Sequence, residues 1–108
     1  MSETIVLITC RLNVAPSAYE QVAAPLAQTI ADVVGLRWKI WLLNPAQCAA
    51  GGVYLFDDAA SADAYLSGAV VAELRRHPAL SAWTVQQFAV IEAVTAITHG
   101  PIRQGVRV

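Results

Sequence analysis

Apolar residues along this chain alternate between two rhythms, period two and period near four. Thr4–Asn13 (TIVLITCRLN) has period two, with Val6, Ile8, Cys10 and Leu12 on one face and Ile5, Leu7, Thr9 and Arg11 on the other. Rich in Ile, Val and Thr and mostly apolar on both faces, it predicts a central first strand. Helical spacing follows in Tyr19, Val22, Ala23, Leu26, Ile30 and Val33, a single buried stripe on a helix opened by Pro16 and Ser17. Ser17 and Glu20 stand at the separation of a capping box. Pro25 removes a backbone donor and predicts a kink, and Gly35 ends the helix with Leu36 folding back behind it.

Period two returns in Leu36–Leu43 and Val53–Phe56, two strands joined by a long loop, Asn44–Gly52, that contains Pro45 and Gly51-Gly52. Alternation sets Leu36, Trp38, Ile40 and Leu42 against Arg37, Lys39, Trp41 and Leu43. The first set suits the helices; the second points to a partner subunit or a rim. A sheet with one wetted side shows a polar face, and this one does not. Both faces must therefore be covered.

Asp57 or Asp58 caps a second helix from Ala59 to about Arg76, with Ala62, Tyr65, Leu66, Ala69, Val70 and Leu74 inside; Gly68 weakens its middle and Pro78 ends it. Trp83–Glu92 is the fourth strand, and residues 93–108 form a C-terminal arm carrying Arg103 and Arg107. The order βαββαβ predicts an α+β fold, the ferredoxin-like plait: a four-stranded antiparallel sheet with both helices on one face. A second copy closing the bare face would make a dimeric α+β barrel.

Composition sharpens that picture. In 108 residues, one domain's worth, 56% are hydrophobic and 14% charged, more apolar side chain than so small a monomer hides, and burial in a homodimer answers it. A net charge of −1 supplies no field for nucleic acid or an anionic membrane, and no apolar run reaches spanning length. Cys10 and Cys48 have neither metal-ligand nor redox spacing and no secretory signal precedes them, so the expectation is two free thiols in the cytoplasm.

Gly35–Trp41 (GLRWKIW), Gly51–Asp57 (GGVYLFD), Ser61–Leu66 (SADAYL) and Pro25-Leu26 resemble the YdhR family of putative monooxygenases, small proteins of the dimeric α+β barrel superfamily. By element order the resemblance spans roughly Leu7 to Glu92, and it is specific in the central blocks. It implies the plait, the homodimer and an oxygenase role; neighbouring families oxidise aromatic or quinol-like compounds without metal or flavin. It brings no catalytic residues with it.

The residues themselves suggest several. Trp38, Trp41 and Tyr54 can form an aromatic wall for a flat substrate, or serve as core and interface packing. Lys39, the only lysine, can act as a base or steady a substrate anion if buried, or snorkel from an edge strand. His77, after the second helix, is a candidate base or haem ligand, or a cation suited to a helix C-terminus. Arg11 and Trp83 complete the candidate substrate contacts, and Asn13, Trp83 and His77 supply the residue types used by haem degraders of the superfamily. Two separated histidines and two separated cysteines make no metal site, and no cofactor is expected. These residues favour cofactor-independent oxidation of a small aromatic or quinol-type compound. The alternatives are a non-catalytic binding protein for such a ligand and, third, haem binding or degradation.

Overall fold

A computed structural model describes residues 3–102. Four strands, β1 (Thr4–Leu12), β2 (Leu36–Asn44), β3 (Ala49–Phe56) and β4 (Leu80–Ala89), form one antiparallel sheet in the order β2-β3-β1-β4. Helices α1 (Pro16–Ala31), α2 (Ala59–Leu66) and α3 (Ala69–Arg76) pack on one face, and α4 (Glu92–Ile97) follows β4. This is the ferredoxin-like α+β plait.

β1 behaves as its alternation predicts. Val6, Ile8, Cys10 and Leu12 are buried towards the helices, and Arg11 is exposed on the other face. Tyr54, Phe56 and Tyr65 form the aromatic centre of the core, with ring centroids 5.2 to 6.0 Å apart.

Local details follow some expectations and correct others. α1 begins with Ala15 as N-cap and Pro16 in the first turn, and the Ser17–Glu20 capping box does not form. Proline at the first helical position needs no donor and already has helical φ, so the cap moves to the residue before it. The helix runs unbroken through Pro25 and ends at Ala31. Pro25 is exposed, so the Gln21 carbonyl that loses its partner can turn to water. Gly35, at φ +84°, makes the turn into β2. Asp58 caps α2, accepting from Ser61 N–H at 2.8 Å. The long second helix divides at Ser67-Gly68, where Gly68 becomes the N-cap of α3. β4 starts three residues before Trp83 and ends at Ala89. The β2–β3 connection shrinks to Pro45–Cys48, a single 3₁₀ turn closed by Cys48 at φ 50°, which leaves Gly51 and Gly52 inside β3.

The largest correction concerns β2. Leu36 pairs with Phe56, but Trp38 pairs with Leu55, so Arg37 is an extra residue in a β-bulge. One inserted residue reverses the faces of everything after it. Lys39 and Trp41 therefore face the helices together with Tyr54 and Gly52, while Trp38, Ile40 and Leu42 face the other side. The bulge is held by its own side chain: Arg37 donates to Glu3 at 2.9 Å and lies 3.7 Å from Asp57.

Trp38 accordingly meets the C-terminal segment, its indole N–H donating to the Pro101 carbonyl at 2.7 Å. The chain thus runs from β4 at one edge of the sheet to β2 at the other. Arg103 and Arg107 of the expected arm lie outside the described residues.

Candidate functional site

The helix-facing side of β2 and β3 has a flat spot at Gly52. A Cβ there would stand 2.5 Å from Lys39 Cε and 3.2 Å from the Tyr54 ring, so only glycine lets the Lys39 chain lie across β3 into the interior. Gly52→Ala should push the amine aside while leaving the strand intact. We expect the Lys39 pKa to return upwards with little loss of melting temperature, read by NMR titration of the single lysine.

Lys39 Nζ sits 3.2 Å from the centroid of the Trp41 ring and 4.7 Å from that of Tyr54. Both aromatic faces favour the ammonium form. Burial opposes them and prevails, holding the Lys39 pKa down at about 7 from an ordinary 10.5. The other ionisable groups stay neutral. Burial raises the Cys10 thiol, pushes Tyr19 up to about 12, and raises Tyr54, whose hydroxyl also accepts from Tyr65 at 3.2 Å. Of the titratable groups around this cavity, Lys39 alone changes charge near neutral pH. No carboxylate stands among its described walls.

The cavity is lined by Ile8 and Cys10 of β1, Tyr19 and Leu26 of α1, Leu74 of α3, and Lys39, Trp41, Tyr54 and Trp83 of the sheet. At about 20 Å³ it has room for roughly one water. Trp83 reaches it through a second bulge, in which Ala82 takes φ 52° and the register of β1 against β4 slips by one residue. The indole nitrogen of Trp83 is buried and has no hydrogen-bond partner among the described residues. Leaving such a donor unpaired costs about 1–3 kcal/mol, so it is a ready donor for a ligand oxygen.

The structure thus brings four of the sequence candidates, Lys39, Trp41, Tyr54 and Trp83, to one cavity. It places the other three elsewhere. Trp38 lies on the opposite face and is engaged by Pro101. Arg11 is exposed on that face too, paired in register with Ala49 and Ser81. His77 is the C-cap of α3, and its Nδ1 accepts from Ala79 N–H at 3.1 Å. Asn13 bonds Pro78 and Ser81 in the same turn, so the Asn13–Trp83–His77 set does not converge on a haem site. Among the described residues no three His, Cys, Asp or Glu side chains gather as a metal ligand set. Cys10, Tyr19 and Gly52 were missed as site residues. Tyr19 stood on the predicted buried stripe of α1 and Cys10 on one of the two apolar faces of β1, and only the strand register reveals that they meet here.

The profile of the family described as "Putative mono-oxygenase ydhR" matches residues 7–101. The chain belongs to this family. No curated protein sequence matches it. Among solved structures it is similar to NE2512, a protein of unknown function from Nitrosomonas europaea, at 19% identity and a TM-score of 0.72 over 86% of this chain and 93% of that one. SnoaB, a cofactor-independent oxygenase from Streptomyces nogalater, gives 17% and 0.69 over 87% and 98%. The heme-degrader MhuD from Mycobacterium tuberculosis, solved with two hemes bound in its active site, gives 15% and 0.65 over 82% and 95%. At these identities the likeness is one of fold. Family membership supports a mono-oxygenase-like role, and no helix among the described residues is long and apolar enough to cross a membrane.

Proposed function

We propose that the protein is a cofactor-independent mono-oxygenase of a small aromatic or quinol-type compound, acting at the Lys39 cavity as a homodimer. The observation that carries this reading is the Lys39 amine, half deprotonated near pH 7 within walls of Trp41, Tyr54 and Trp83. Such an amine can take the proton of an aromatic hydroxyl. With a naphthol, the anion passes one electron to O₂ and the resulting pair joins at a ring carbon. The hydroperoxide then loses water to leave a quinone, so one oxygen atom enters the product and one leaves as water. The protein's tasks are to move the proton, hold the ring, exclude water and offer the Trp83 N–H to a substrate oxygen.

The dimer is supported by apolar surface left uncovered. Ile91, the N-cap of α4, and Val94 and Ile97 within it, spaced by three, are 71%, 54% and 74% exposed, and Ile40 is exposed on the sheet face away from α1 to α3.

Oxygen uptake by metal-free protein over hydroquinones, catechols and naphthols tests the chemistry. Turnover with one atom of labelled O₂ entering the product is expected. Tight binding without uptake would replace this reading with that of a carrier. Sedimentation at micromolar concentration should give twice the chain mass, and a monodisperse monomer would remove the homodimer.

A further inference from the structure

Trp41 occupies the position that a substrate ring needs. Its indole lies over Lys39 Nζ at 3.2 Å, and the cavity left behind it, about 20 Å³, cannot admit six ring carbons where one water fits. On the other side the same indole borders an open groove of about 330 Å³ between α1 and β2. Tyr19, Ala23 and Trp41 line both spaces, so they are neighbours with a side chain for a partition. The groove is wide because α1 presents Ala23, Ala24 and Ala27 to it, opposite Leu43 of β2.

We propose that Trp41 is a movable partition: its indole turns outwards into the alanine-lined groove when an aromatic ligand arrives, and the ligand ring takes its place over Lys39. The exchange replaces one aromatic face over the amine by another, and the displaced indole still packs on alanine and leucine rather than entering water. β2 is an edge strand, so no further strand crowds Trp41 from outside. Trp41 thereby sets the size of ring that the site accepts. The inference rests on the placing of substrate at Lys39 proposed above.

The test uses a naphthol as probe, under anaerobic conditions, with association followed by stopped flow. Ala24→Leu with Ala27→Leu, both at exposed helix positions, fills the groove. We expect association about tenfold slower with the Lys39 titration unchanged. Trp41→Ala removes the partition, and association should become about tenfold faster. Water then reaches the amine, so the single lysine should titrate well above the native value of about 7. Cys10 of β1, Tyr54 of β3 and Tyr19 of α1 face that amine in neutral form and do not mask its titration.

Unchanged association in the groove-filled protein, or weaker binding in Trp41→Ala, would overturn the partition. Should Trp41→Ala fail to fold, 5-fluorotryptophan decides: ligand must move the Trp41 resonance and leave that of Trp38 in place. Naphthol failing to bind the native protein at all would instead remove the functional reading beneath it.

Discussion

Lys39→Met should lower kcat by about 10²–10⁴-fold, the usual worth of a positioned acid or base, and at the same time make the protein more stable at low pH. The two effects share one cause. Lys39 titrates at about 7 in the folded protein and near 10.5 when exposed. Below pH 7 it is charged in both states, and the folded state carries the whole penalty of a buried ammonium. Between pH 7 and 10.5 the unfolded chain binds more protons, so native stability rises with pH through that window by an amount on the order of a few kcal/mol. The melting temperature of Lys39→Met should therefore exceed that of the native protein most at pH 6, with the gap closing towards pH 9. Activity should follow the same group in the opposite sense to a cationic role: native kcat/KM should rise with pH about a midpoint near 7 as the amine loses its proton. A profile that falls through pH 7 would show that the ammonium, by holding the substrate anion, is the active form.

The greatest loss of stability is expected from Gly51→Ala. Gly51 pairs with Thr9 at the centre of the sheet, and a Cβ there would lie 2.0 Å from the Ile8 carbonyl oxygen and 2.9 Å from Thr9 Cα. Backbone, unlike the end of a lysine, cannot step aside without breaking strand pairing. A loss on the order of 3 kcal/mol follows, read from urea unfolding. Its neighbour Gly52 meets the flexible Lys39 instead, so the same substitution one residue later should disturb chemistry and spare the fold. An equal loss of stability at both positions would contradict this division.

Those two glycines show where reading the chain stops. As a Gly-Gly pair after Pro45 they looked like loop, because local sequence records their freedom and not the strand that needs them flat. The β1 and α1 stripes, a cap at Asp57 or Asp58, the order βαββαβ and the crowding of aromatics in β2 and β3 were legible, since each depends on neighbours within a turn or two. The side of the sheet on which Trp38 and Trp41 lie was not. Alternation carries no record of a bulge, and the one at Arg37 is held by Glu3, 34 residues away in the chain. That single inserted residue sends Trp38 to the C-terminal segment and turns Lys39 and Trp41 inwards. The lowered pKa of Lys39 depends on the same event, because burial against α1 and β1 is a property of the assembled layers and not of the residues beside it. From sequence alone Lys39 was either a base or a snorkelling edge residue. The register of β2 on β3, with Gly52 beneath its stem, decided where the amine ends.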